Sequence, residues 1–220
     1  MFKPRPTNPE LGRVVKSSVT SKVTLLKSHF RKIECVFKSE SESLFAQWQI
    51  ECDRTKDHQD DSQVDYSSSD ELRVLDFVYL RMHRYSAVLA AYSYLESSLN
   101  KLCFDIQKEK NISLSVNELR ADGINRYKVY LDKYACIDFV KINGIWTNLT
   151  ELNKLRHCII HADGDTDKIK GSSKLINIIE NNSDIFFIEE KLVMVTSEFI
   201  DKSFNDIESI LIYLIDYIEQ

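Results

Sequence analysis

Proline and glycine are almost absent from this chain, and that scarcity limits what it can fold into. The three prolines, Pro4, Pro6 and Pro9, all lie within the first nine of 220 residues, and the whole chain contains only five glycines. Because both residue types interrupt helices, long helices meet few breakers beyond Pro9. We therefore predict a mainly all-α fold, a helical bundle, in which residues 1–13 form an extended tail.

The next stretch carries the spacing of a long amphipathic helix. Between about residues 14 and 50, apolar side chains recur at alternating steps of four and three. The repeat comprises Val19, Val23, Leu26, Phe30, Ile33 and Phe37. Residues at this spacing share one stripe of a helix. The pattern predicts a long N-terminal helix packed on the bundle.

A second helical segment is predicted from about Asp70, a plausible N-cap, to Lys108. Its centre, SAVLAAYSYLESSLNKLCFDI, is apolar on nearly every side and should be buried. Glu96 stands in this centre, and a carboxylate there is expected to pair with a cation or with a backbone group. Residues 53–70 before it are acidic and serine-rich, which predicts a mobile acidic loop.

The rest of the chain changes character twice. Residues 111–148 predict short helices joined at Gly123 and Gly144, followed by a helix over 147–160. Two runs rich in isoleucine, valine and phenylalanine then follow, LINIIE at 175–180 and IFFIEEKLVMV at 185–195. The polar residues 181–184 between them predict a small β-hairpin before a C-terminal helix capped by Thr196 or Ser197. We interpret residues 1–220 as a single domain.

Composition narrows the classes of function. Apolar residues make up 43% of the chain and the net charge is −5, typical of a soluble globular protein. Proteins that coat nucleic acid are usually basic, so contact with RNA would depend on a local basic cluster. The five cysteines form no CxxC pair, no apolar segment follows the basic N-terminal residues, and no apolar run could span a bilayer. We expect a cytoplasmic protein with reduced thiols and no membrane partner.

The densest chemistry lies in LNKLRHCIIHADG, residues 152–164. His157 and His161 are four residues apart and share a helix face, as the zinc ligands of a HExxH helix do. Cys158 stands where that motif needs a glutamate, and no further histidine or cysteine lies nearby. In the acidic loop that follows, Lys174 occupies the position at which a calcium loop closes with glutamate. We expect no metal and no cofactor, with a metal hydrolase kept as an alternative.

Two other interpretations of the same stretch concern nucleophilic and acid–base chemistry. Cys158 could be a reactive thiol, but its isoleucine neighbours favour a packed, inert one. Arg156 and His161 are five residues apart, about 140° around an ideal helix, so one chain aims both at one point only if the helix ends or distorts early. A second subunit could instead supply the opposite half. Such a pair suits metal-independent RNA cleavage; a polar helix terminus that complements the helix dipole is the alternative.

At these residues the chain resembles the HEPN superfamily, the higher eukaryotes and prokaryotes nucleotide-binding domains. Members carry an arginine, usually a polar neighbour, and a histidine four to six positions later, matched here by Arg156, His157 and His161. Trp146 and LTELNKLRHCIIHADG resemble the W…LNxLRNxxVHxxG stretch of prokaryotic members. Upstream, YSAVLAAYSYLESSLNKLC resembles their central helix and GINRYKVYLDKYACIDF the connecting segment. The likeness covers residues 75–165.

The resemblance implies a helical domain that forms a homodimer and, in many members, a metal-independent endoribonuclease that acts as a toxin or defence effector. Arg156 would stabilise the phosphorane-like transition state and His161 would act as general base or acid. His157 replaces the commoner asparagine and could tune His161, orient RNA or carry a second proton. Glu96 would line the groove and pair with Arg156. The expected partners are an RNA substrate and an antitoxin or regulatory protein. The alternative is a catalytically inactive nucleotide- or protein-binding module.

Overall fold

The structure is a computed structural model that describes residues 9–56, 67–121, 123–169, 172–182 and 186–219. Helices form almost every element in these ranges. The α-helices, in chain order, are α1 (Pro9–Lys56), α2 (Ser67–Arg73), α3 (Arg81–Lys110), α4 (Asn125–Lys133), α5 (Asn143–Ala162), α6 (Ser172–Asn181) and α7 (Ser197–Glu219). A π-helix, Val74–Leu80, joins α2 to α3, and 3₁₀ turns occur at Val116–Glu118 and Val140–Ile142. Strands β1 (Phe186–Glu189) and β2 (Leu192–Val195) form an antiparallel hairpin. The mainly all-α prediction is confirmed.

The long N-terminal helix is confirmed and begins earlier than the sequence suggests. α1 runs for 48 residues, and its stripe faces the core, with Val23 and Phe30 buried. The prediction of an extended tail over 1–13 is wrong for residues 9–13, which are helical. Residues 1–8 of that tail lie outside the described residues. Proline has no N–H to lose in a first helical turn, so Pro9 is compatible with this start.

The predicted loop over 53–70 is shorter than expected at both ends. Residues 53–56 complete α1, and residues 67–70 already belong to α2, so the loop prediction is wrong for these positions. Residues 57–66 lie outside the described residues. The second helical segment therefore begins at Ser67 rather than at Asp70, and it continues through the π-helix to Lys110.

α3 and α7 hold the centre of the bundle. The predicted burial of the α3 centre is confirmed, since Leu95, Leu99 and Cys103 are fully buried. α7 contacts α1, α3 and α5, and its buried side chains join theirs in one hydrophobic cluster. The hydroxyl of Thr196 accepts a hydrogen bond from the Phe199 N–H at 3.3 Å, so Thr196 is the predicted cap of the C-terminal helix.

The predicted ribbon is present but displaced along the chain. Residues 175–180 belong to α6, with Leu175 and Ile179 buried one turn apart, so the strand predicted there is wrong. A short apolar run fits a helix or a strand equally well, and here the four-residue spacing of the two buried side chains is that of a helix. The hairpin forms wholly within the second run, because Glu190 and Lys191 adopt positive φ angles of 48° and 72° and turn the chain back on itself.

The two glycines predicted as helix joints differ in role. Gly123 stands just before α4 with φ +53°, as a joint requires. Gly144 lies in the first turn of α5, so its prediction as a joint is wrong. The helix predicted over 147–160 is confirmed within the longer α5. None of the helices in the described part of the chain combines the length and apolar character needed to cross a membrane.

Candidate functional site

The arginine–histidine stretch occupies the C-terminal half of α5, where one side of the helix faces the core. The core side is almost completely buried and consists of Leu149, Leu152, Leu155, Cys158 and Ile159. His157 and His161 are exposed on the opposite side, whereas Arg156 is half-buried at the border of the core side. The apolar spacing of α5 therefore leaves the two histidines open to solvent and Arg156 beside the core.

The C-terminal end of α5 is a regular helix, so it does not end or distort early to bring Arg156 and His161 together. The helix continues to Ala162, and Asp163 then adopts a left-handed φ of 51°. The Gly164 N–H donates to the Cys158 carbonyl at 3.2 Å and the Asp163 N–H to the Ile159 carbonyl at 3.1 Å. Since the helix neither ends nor distorts before Ala162, Arg156 and His161 stay about 140° apart around it.

The β-hairpin and α3 anchor the loop that follows α5. The Gly164 carbonyl accepts a hydrogen bond from the Val193 N–H at 3.0 Å, and the Tyr85 hydroxyl donates to the Val193 carbonyl at 2.7 Å. Arg81, at the start of α3, donates to the Asp163 carbonyl at 3.3 Å. These bonds hold the C-terminal end of α5, and with it His161, against the rest of the molecule.

Arg156 packs on an aromatic ring of α3. Its guanidinium carbon lies 5.1 Å from the centre of the Tyr92 ring, and Tyr92 is almost completely buried. This distance is within the range of a cation–π interaction. Burial, with a smaller contribution from the Glu96 carboxylate and against the opposing charge of Arg156, raises the pKa of Tyr92 to about 12. Among the described residues Arg156 has no ion pair and no hydrogen bond.

Glu96 lies near Tyr92, one turn further along α3, and is half-buried. Its charge contributes to raising the pKa values of both Tyr92 and Tyr127, although burial is the larger cause in each case. No ion pair joins Glu96 to Arg156, and within the described residues Glu96 has no hydrogen bond. The expected pairing is therefore absent from this chain, and both groups instead border the same tyrosine.

The turn at Gly123 approaches Tyr92 and Asn153 closely, a contact that the sequence did not reveal. A methyl group built on Gly123 would lie 3.1 Å from the Tyr92 hydroxyl and 3.0 Å from the Asn153 amide nitrogen. The turn before α4 thus approaches both side chains closely. Asn153 stands three residues before Arg156, on the same side of α5, so helical spacing could have suggested it. The approach of Tyr92 and Gly123 depends on tertiary packing.

His157 and His161 contact each other. Their ring centres are 4.4 Å apart with an angle of 52° between the planes. Within the described part of the chain, no hydrogen bond, ion pair or other ring contact engages either imidazole. Both imidazoles are exposed, so a substrate can reach them, and an imidazole can serve as a general base or acid.

Cys158 lacks the surroundings of a reactive thiol. It is fully buried, and burial raises the pKa of its thiol to about 11, with the negative charge of Asp165 acting in the same direction. A thiol becomes nucleophilic when its thiolate is stabilised, which requires the opposite environment. The structure agrees with the packed, inert thiol favoured from the sequence.

The acidic residues after α5 form ion pairs on the surface. Asp165 binds Lys168 and Asp167 binds Lys191, each at 2.8 Å. Across the described ranges, no group of three or more histidine, cysteine, aspartate or glutamate side chains is arranged to hold a metal ion. His157 and His161 therefore have no third ligand of these types beside them.

No protein-family model matches the chain, and no significant similarity links it to a curated protein or to a solved structure. The likeness to the HEPN superfamily is therefore an interpretation of residues 75–165 alone.

Proposed function

We propose that this protein is a metal-independent endoribonuclease of HEPN type, acting as a toxin or defence effector in the cytoplasm. The observation that carries the proposal is the exposed imidazole pair, His157 and His161, on the same helix as the half-buried cation of Arg156. A general acid–base group and a permanent cation can together cleave a phosphodiester without a metal.

In the proposed reaction, one imidazole acts as the base and RNA supplies its own nucleophile. His161 removes the proton of a ribose 2′-hydroxyl, and the resulting oxygen bonds to the adjacent phosphorus. The bond from phosphorus to the 5′-oxygen breaks, and that oxygen takes a proton from an imidazolium. The products are a 2′,3′-cyclic phosphate and a 5′-hydroxyl end. Arg156 stabilises the charge on the phosphorus oxygens.

The separation of Arg156 from His161 supports the proposal of a site completed by two copies. Arg156 lies over Tyr92 while His161 lies about 140° away around α5, so the two side chains of one chain do not converge. A two-fold axis beside α5 would bring Arg156 of one copy towards His161 of the second. Ile160 is 46% exposed on this open side and gives that contact an apolar component.

The first test is cleavage of total RNA in excess chelator. Wild type should cut, and Arg156→Ala and His161→Ala should each lower the rate by about two orders of magnitude or more. Arg54→Ala and His29→Ala are matched controls, since both side chains are exposed on α1. If cleavage depends on added metal, or if both control variants lose as much activity as the site variants, the proposal is wrong.

Mixing the two inactive variants tests the shared site directly. A dimer of one Arg156→Ala chain and one His161→Ala chain retains one site with both groups if they come from different copies. After subunit exchange, activity should return to about a quarter of wild type, because half of the dimers carry one intact site of two. If both groups acted within one chain, mixing would restore nothing.

A second candidate function is a catalytically inactive nucleotide- or protein-binding module. The divergence of Arg156 and His161 within one chain favours it, as does the absence of an ion pair between Glu96 and Arg156. Folded wild type that forms a dimer yet leaves RNA intact would support this alternative. An antitoxin or regulatory protein is a partner of either function.

A further inference from the structure

A groove runs between α1 and the segment formed by α2 and the π-helix, apart from the arginine–histidine site. The two segments are antiparallel neighbours, and the Ser68 hydroxyl donates a hydrogen bond to the Glu51 carboxylate at 2.8 Å. Further along the pair, towards the N-terminus of α1, Glu40 and Leu44 line one wall. The other wall is lined by Asp70, Glu71, Val74, Leu75 and Tyr79.

Apolar side chains in this groove remain open to solvent. Tyr79 is 54% exposed and Val74 is 41% exposed, while Leu44 is half-buried and Leu75 is buried beneath them. Val74 and Tyr79 both belong to the π-helix, a rare geometry that occurs often at functional sites. An apolar strip flanked by polar residues is typical of a surface that binds another protein segment.

Three carboxylates that border the apolar strip form no ion pair with a described residue. Glu40, Asp70 and Glu71 are exposed, and none has an ion pair with any residue that the structure describes. Some surface carboxylates on other helices are paired, as Asp201 is with Arg31 at 2.8 Å. In the sequence, residues 57–66 contain four aspartates and no lysine or arginine.

We propose that this groove binds a cationic amphipathic helix of a partner protein. Leucine-like side chains of the helix would cover Leu44, Val74 and Tyr79, and its lysines or arginines would meet the carboxylates. A second copy of this chain fits less well, because pairing two copies of the groove would place carboxylates against carboxylates. The proposal does not depend on RNA cleavage.

The experiment measures fluorescence anisotropy of a labelled, designed lysine–leucine helix of about 18 residues in about 0.15 M salt. Its comparison peptides are a scrambled sequence that loses the apolar stripe and a glutamate–leucine version. Wild type should bind the designed peptide, bind the scrambled peptide at least about tenfold more weakly, and show no binding of the glutamate–leucine peptide. Equal binding of the designed and scrambled peptides would contradict a groove for a helix.

A pair of charge-matched triple variants locates the binding. Neutralising the groove with Glu40→Gln, Asp70→Asn and Glu71→Gln should weaken binding about tenfold, since each exposed ion pair contributes modestly. The control neutralises three exposed carboxylates on other helices, with the same change in net charge: Glu109→Gln, Asp132→Asn and Glu180→Gln. The control should stay within about twofold of wild type. Equal weakening in both triples would show general charge attraction and overturn the proposal.

The apolar strip is tested separately. The double variant Val74→Ser, Tyr79→Ser replaces exposed side chains, so circular dichroism should remain that of wild type. It should abolish the preference for the designed helix over the scrambled one. Retained preference would place the binding elsewhere. Sedimentation of wild type and the groove triple should give equal masses, and a lower mass for the triple would show that the groove joins two copies instead.

Discussion

The guanidinium carbon of Arg156 lies 5.1 Å from the ring centre of Tyr92, and Tyr92 is 3% exposed. A residue of α3 thus sets the position of the one arginine in the candidate site. The Tyr92 hydroxyl in turn lies close to the turn at Gly123, as does the amide of Asn153. Long arginine side chains are mobile on an open helix face, so this packing reduces the number of orientations that Arg156 adopts.

Removing the Tyr92 ring should therefore reduce RNA cleavage more than removing its hydroxyl. Tyr92→Phe keeps the aromatic face and should hold kcat within a few-fold of wild type. Tyr92→Leu loses that face and should lower kcat about tenfold, because one cation–π contact contributes about 1–2 kcal/mol. Single-turnover cleavage, measured well below the melting temperature of each variant, checks this. Equal loss in both variants would mean that the ring does not position Arg156.

The sequence predicted the helix that carries Arg156, His157 and His161 better than the contacts that these residues make. Helical spacing placed Arg156, His157 and His161 on α5, since that spacing is local. The contact of Arg156 with Tyr92 joins residues far apart in the chain, and only the packing of α3 on α5 creates it. The structure shows no ion pair between Glu96 and Arg156 although both border Tyr92, and helical spacing cannot state whether the guanidinium packs on the ring or on the carboxylate.

For the fold too, elements set by local sequence patterns were predicted correctly, whereas elements set by tertiary packing were not. The apolar stripe of α1 and the cap at Thr196 are local patterns, and both were predicted correctly. The run LINIIE is too short for its period to separate strand from helix, and burial of Leu175 and Ile179 on the bundle selected the helix. The position of the hairpin turn, at Glu190 and Lys191, carries no glycine or asparagine signal.

Two glycines on α5 and its C-terminal loop should respond to alanine in opposite ways. A methyl group on Gly164 would lie 1.8 Å from the Tyr85 hydroxyl oxygen, and its φ is +80°, so Gly164→Ala should lower the free energy of unfolding by about 2–4 kcal/mol. A methyl group on Gly144 would have nothing within 4 Å, and Gly144 lies in a helix. Gly144→Ala should therefore raise the free energy of unfolding by about 0.5 kcal/mol. Urea unfolding of both variants checks the pair. Equal stabilities would contradict the close approach of Tyr85.

His83 should make the stability of the protein depend on pH. Its ring stacks on Phe30 at 5.0 Å, and its Nε2 atom is buried without a hydrogen-bond partner. Burial lowers the pKa of His83 from the ordinary value of 6.5, with Arg84 and His29 acting in the same direction and Glu34 opposing. Between that value and the lowered one, the unfolded chain binds a proton that the folded chain does not. Stability should therefore fall as the pH drops below 6.5 and level off below the folded pKa.

The control for this prediction is His83→Phe, which keeps a ring against Phe30 but cannot titrate. Free energies of unfolding measured from about pH 8 to pH 5 should decline less steeply for the variant than for wild type. Other groups also titrate in this range, so the difference between the two curves is the quantity that matters. Parallel curves would show that His83 does not carry the effect.

Expression in bacteria tests the proposed role as a toxin or defence effector. Wild type should slow growth, because an endoribonuclease without its controlling partner degrades cellular RNA, and His161→Ala should relieve the arrest. His161 is exposed, so the substitution removes an imidazole without opening a cavity, and both proteins should accumulate to the same level. His29→Ala, also at an exposed position, should remain as toxic as wild type. If His161→Ala slowed growth as much as wild type at equal protein levels, the toxicity would not come from catalysis at this histidine, and the binding-module alternative would explain it better.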